Sequence, residues 1–150
     1  MGMIQEDYVS FETAKLLKEK GFDAYCHSHY YPYYEDDTMK KKNYDRYRGT
    51  VNVKNKLYYE VYDGKGLMRD HYLCPTLQMA MKWLRENHNL YVTSVPNGIG
   101  EYVFYPQIYK KFECGWNVLE SSLNGFQNTE FSSPEEACEA AIKYCLENLI

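Results

Sequence analysis

The sequence predicts an α+β fold: a twisted, mainly antiparallel sheet with about three helices packed on one face. Three observations lead there. Three segments carry apolar residues at helical spacing behind a capping residue, and the stretches between them are rich in tyrosine and β-branched residues. Glycine-containing turn sequences separate several of those stretches.

The first helix begins at Phe11, where Ser10 is placed to accept from the free amide of Thr13 and Val9 can staple against Ala14. Thr13, Leu16, Leu17 and Lys20 share one face, and Gly21 accepts the left-handed turn that folds Phe22 back on Leu17. Runs at about Ala24 to Tyr31, Leu57 to Tyr62 and Leu67 to Leu73 read as strands, the last two joined by Asp63-Gly64-Lys65-Gly66.

A second helix spans about Thr76 to His88, behind Pro75. Its stripe of Leu77, Met79, Ala80, Met81, Trp83 and Leu84 covers more than half the circumference, which predicts a central position or a partial interface. Strands follow at Leu90 to Val95 and Tyr102 to Tyr109 around Asn97-Gly98-Ile99-Gly100, and weaker ones at Asn117 to Ser121 and Phe126 to Phe131 around Asn124-Gly125. The third helix opens on Ser133, with Pro134 at its first position and Glu136 closing a capping box. It should bury Cys138, Ala141, Ile142, Cys145 and Leu149. Leu17-Lys18-Glu19 and Leu84-Arg85-Glu86 each end a helix ahead of a Tyr-containing strand, a hint of two helix-then-hairpin units.

At 150 residues, 45% hydrophobic and 25% charged, the chain reads as a single domain over 1–150, with 1–7 a tail and 32–48 an exposed loop. It has neither an apolar run of membrane-spanning length nor a basic-then-apolar leader, so the expectation is a cytoplasmic protein with no membrane contact. Cys26, Cys74, Cys114, Cys138 and Cys145 lack the spacing of a zinc knuckle or a redox pair and read as reduced, small apolar fillers. A net charge of −4 gives no global attraction to phosphate.

Seventeen tyrosines cannot all hide their hydroxyls in a core without partners, so many should be half-exposed, with the sheet's open face either merely aromatic or a binding surface. The densest stretch runs from Ala24 to Gly49 and holds Tyr30, Tyr31, Tyr33, Tyr34, Tyr44 and Tyr47. Its Glu35-Asp36-Asp37 and Lys40-Lys41-Lys42 make either a self-compensating solvated loop or a recognition loop. Tyrosine offers large, rigid contact area at low entropic cost, which suits protein binding. Lys40, Lys41, Lys42, Arg46 and Arg48 interleaved with Tyr44 and Tyr47 would alternatively suit single-stranded nucleic acid, though the acidic cluster beside them opposes a phosphate backbone.

His27-Ser28-His29 places two imidazoles two residues apart on a strand, where both can face one metal ion. A third ligand would have to come from Glu35, Asp36, Asp37 or His71, and two exposed or internally satisfied histidines are the simpler reading. With Tyr144 as nucleophile the pair would suit a metal-dependent phosphodiesterase or nuclease. Nucleases that nick single-stranded DNA at replication origins, however, place a bulky apolar residue where this chain has Ser28. Neither Cys26 beside His27 nor Cys114 before Gly115 forms a nucleophile, base and orienter set, and no phosphate-cradling loop or paired zinc motif is present, so no catalytic residue and no cofactor is implied.

Tyr8-Val9-Ser10-Phe11-Glu12-Thr13-Ala14-Lys15-Leu16-Leu17, Pro75-Thr76 through Lys82-Trp83-Leu84-Arg85-Glu86, and Pro134-Glu135-Glu136-Ala137 onward resemble small uncharacterised proteins of gut Bacteroidetes and their phages. The resemblance implies a phage or mobile-element accessory protein and brings no site residues with it. The leading expectation is a non-enzymatic interaction module that uses a Tyr-rich surface to bind a protein partner or a second copy of itself.

Overall fold

The computed structural model describes residues 4, 6–24, 26–34, 42–51, 72–97, 103–119 and 131–150, and for 27, 31–34, 42–51 and 97 the backbone alone. Among these residues lie three helices and two antiparallel sheets, an α+β fold. The strands divide between two compact units, one formed by Tyr8–Pro75 and the other by Met1–Asp7 with Thr76–Ile150.

In the Tyr8–Pro75 unit, α1 (Phe11–Glu19) starts where Ser10 accepts from the Thr13 amide. It ends where Gly21, at φ 86°, lets the Phe22 amide return to the Leu17 carbonyl at 2.9 Å. Val9, Thr13, Ala14, Leu17 and Phe22 are buried. Strands β1 (Cys26–Tyr34) and β2 (Lys42–Val51) pair antiparallel, and β1 also pairs with the short β3 (Tyr72–Leu73). The register changes between Cys26 and Ser28, where Gly49 and Thr50 together stand opposite His27, a β-bulge. Residues 32–34 and 42–48, expected in an exposed loop, are paired strand, in keeping with the tyrosine content of both stretches, since aromatic residues favour extended backbone. The tip at 35–41 lies outside the described residues, as do the strand expected at Leu57 to Tyr62 and the Asp63-Gly64-Lys65-Gly66 turn.

The second unit runs α2 (Leu77–His88), β4 (Leu90–Asn97), β5 (Val103–Phe112), β6 (Gly115–Val118) and α3 (Pro134–Asn148), with strand order β4-β5-β6. Thr76 caps α2 by accepting from the Met79 amide, and Asn89, left-handed at φ 57°, ends it. Asparagine tolerates that conformation through its short polar side chain, which lets β4 begin at once. The third helix is capped by Ser133, which accepts from the Glu136 amide. The Glu136 carboxylate takes a bond from the Ser132 hydroxyl at 2.9 Å, where the sequence suggested a reciprocal capping box.

Both helices of this unit pack on the sheet. The core joins Leu77, Ala80, Trp83 and Leu84 of α2 and Ala137, Ala141, Ile142, Cys145 and Leu146 of α3 with Leu90, Val92 and Ile108 of the strands. The β4–β5 pair is the hairpin expected around Asn97-Gly98-Ile99-Gly100, its turn lying outside the described residues. Strand β6 begins earlier than the sequence suggested, at Gly115, whose φ of 123° suits glycine alone as the chain turns at Glu113-Cys114. Of the weaker strand at Phe126 to Phe131 only Phe131 is described, bridged antiparallel to Phe104. Each unit thus opens with a helix followed by an antiparallel strand pair.

Candidate functional site

The site grows from the register of the second sheet. Side chains alternate faces along a strand, and residues paired across strands share a face. Leu90, Val92 and Ile108 are buried, so that face is the one under the helices. Tyr91 pairs with Tyr109 and Tyr109 with Val118, while Lys111 pairs with Trp116 and Val95 with Tyr105. All of these therefore stand on the opposite, open face.

On that face the Tyr91 ring lies 6.1 Å from Tyr109 and 6.0 Å from Trp116, both edge-on. The Arg85 guanidinium, reaching from α2, sits 5.9 Å from the centre of the Tyr91 ring, within range of a cation–π attraction. The Tyr109 hydroxyl donates to the Gln107 carboxamide at 2.7 Å, which fixes the ring against its own strand. Tyr91 and Trp116 are each 41% exposed, so the cluster meets solvent although its members already touch. Four of the five large exposed apolar residues among those described, Tyr91, Phe112, Trp116 and Val118, belong to this one sheet.

The residues singled out from the sequence fall elsewhere. Tyr30 packs edge-on against Phe11 at 5.5 Å, and its hydroxyl donates to the Val9 carbonyl at 2.7 Å, a structural use of the ring. Backbone pairing sets Tyr34 opposite Lys42, Pro32 opposite Tyr44, Tyr31 opposite Asp45, Tyr30 opposite Arg46 and Ser28 opposite Arg48. That brings the Tyr-rich and the basic stretch into one ladder; Tyr33 and Tyr47 belong to it as well, opposite Asn43 and His29. The side chains of Tyr31, Tyr33, Tyr34, Lys42, Tyr44, Arg46, Tyr47 and Arg48, and the whole of Lys40 and Lys41, lie outside what is described.

His29 is 3% exposed, buried within its own unit, while the His27 side chain is not among those described. Among the described residues no group of three or more His, Cys, Asp or Glu side chains is arranged to hold a metal ion. Cys26 is buried and its thiol is pushed up to about 12 by loss of water and then by the neighbouring Cys74, which suppresses the thiolate a nucleophile needs. Burial raises Cys145 likewise, to about 12. Cys114, by contrast, stands exposed at the β5–β6 turn, and Tyr144 is half-buried on α3.

Around the outer edge of β4 the second unit also has a cleft of about 490 Å³, with Leu77, Met81 and Arg85 of α2 on one side and Pro134, Glu135 and Cys138 of α3 nearby. Sequence reasoning anticipated an aromatic open face but not its location. That location follows from strand register, and Tyr91, Tyr109 and Trp116 are spread over 26 positions of the chain. No helix among the described residues is long and apolar enough to cross a membrane. Comparison with protein-family models, with curated proteins and with solved structures gives no significant match.

Proposed function

We propose that this chain is a non-enzymatic protein-interaction module of the cytoplasm whose contact surface is the open face of the β4–β5–β6 sheet. The observation that carries the reading is the exposed cluster of Tyr91, Tyr109 and Trp116 with Arg85 against it. Tyrosine, tryptophan and arginine are the residues that dominate binding energy at protein interfaces. Rings held by their neighbours lose little further freedom on binding. The resemblance of the helical segments to small phage and Bacteroidetes proteins supports an accessory role in a phage or mobile element.

The test uses the two tryptophans as reporters, since Trp83 is buried at 8% exposure and Trp116 is not. Partner engagement should shift the emission of Trp116 to shorter wavelength and protect it from iodide, while a Trp116→Phe variant shows neither change. A partner that binds with Trp116 still fully quenchable would contradict the reading.

A further inference from the structure

We infer that the cleft along the outer edge of β4 is a strand-addition groove for an extended peptide bearing alternating apolar and cationic residues. This rests on the reading of the chain as a protein-interaction module and adds the chemistry of one partner segment and a second surface.

The argument starts from backbone direction. The Lys111 amide donates to the Asn89 carbonyl at 2.9 Å, so in the antiparallel ladder Asn89, Tyr91 and Thr93 bond inward to β5. Leu90, Val92 and Ser94 consequently aim their N–H and C=O groups away from it. The Leu119 amide on the Ile108 carbonyl, at 3.0 Å, agrees with the same alternation on the far side of β5. In the sheet order β4 is an outer strand, and among the described residues no backbone group bonds to the outward N–H and C=O of Val92. Outer strands are ordinarily blunted by lysine, proline or a bulge. From Leu90 to Ser94 there is neither lysine nor proline and the β4–β5 register runs without a bulge, so the pairing edge extends over these residues and ends at the outward-facing Pro96, which has no N–H to offer.

The groove's walls say what would lie there. Val92, Leu77 and Met81 give it apolar surface, and its charged lining is Glu6, Asp7 and Glu135 against Arg85 alone, three carboxylates to one guanidinium. All three carboxylates belong to exposed residues. An added strand sends alternate side chains to opposite sides. One set then covers the apolar wall and the other answers the carboxylates, which selects Lys or Arg over Asp or Glu. The cleft has a volume of about 490 Å³ and is half open to solvent, which leaves its outer side accessible to an extended segment.

The experiment is fluorescence polarisation of the full chain with a labelled hexapeptide of alternating Lys and Val. Controls are the Glu/Val peptide and Lys/Val peptides N-methylated at alternate residues in either phase. Saturable binding is expected, at least ten-fold weaker for the Glu/Val peptide. One methylation phase should weaken binding at least ten-fold while the other does not, since only alternate amides face β4. Asp7→Lys with Glu135→Lys should reverse the preference toward the Glu/Val peptide with an unchanged circular dichroism spectrum. No saturation by 1 mM Lys/Val peptide, equal binding of both methylated forms, or indifference to charge would overturn the groove. Tyr109→Ser with Trp116→Ser lies away from this edge and should leave peptide binding intact, so failure of the groove and failure of the aromatic face are separable.

Discussion

At the scale of single residues, burial sets chemistry. Cys26 and Cys145 hold thiols near 12, against an ordinary value of 9.0, so the folded state keeps both protons where the unfolded chain releases them. The linkage has a definite sign. Stability is unaffected by these thiols below about pH 9 and is lost as pH rises from there toward 12, by up to about 1.4 kcal/mol per pH unit for each. Urea titrations at pH 8 and pH 10.5 should show the fall, and Cys26→Ala with Cys145→Ala should flatten it. Cys114 is the exposed cysteine, so native alkylation at pH 8 should label it well before the other four, read by peptide mass spectrometry. Tyr30→Phe removes the bond to the Val9 carbonyl and should cost about 1 kcal/mol in chemical denaturation.

At the scale of elements, the helices were the most legible part of the sequence, because each carries its start signal locally. Ser10, Thr76 and Ser133 all accept from the amide three residues on. Ser133→Ala should therefore destabilise by about 1 kcal/mol. Ile142→Ala or Leu146→Ala, which empties fully buried volume in α3, should cost about 2–5 kcal/mol in the same measurement. Strand ends were less legible. The β5–β6 turn uses Glu113-Cys114 with the glycine displaced to position 115, and the Asn-Gly signature that marks tight hairpins is absent from it. The division of the strands between two sheets also stayed hidden, since pairing partners are fixed by tertiary contacts rather than by composition.

At the scale of the whole molecule, part of the tyrosine excess stands on the face of the β4–β5–β6 sheet opposite the helices. Seventeen tyrosines exceed what a core accommodates, which makes an aromatic open face legible in the sequence, and the rings are densest along the chain in Ala24 to Gly49. Pairing of β1 with β2 brings the tyrosines of that stretch into one ladder. Tyr30 turns out to hold its own unit together, whereas Tyr91, Tyr109 and Trp116 meet across three strands. Substituting these three with serine removes the cluster from the face opposite the helices, so the core of Leu90, Val92 and Ile108 is left in place. The central claim is tested most directly by affinity capture from the source cells, using the tagged full chain beside its Tyr91→Ser, Tyr109→Ser, Trp116→Ser variant with matched circular dichroism. A stoichiometric protein partner recovered by the native chain and lost at least ten-fold by the variant is the predicted result; equal recovery by both, or no partner for either, would contradict it.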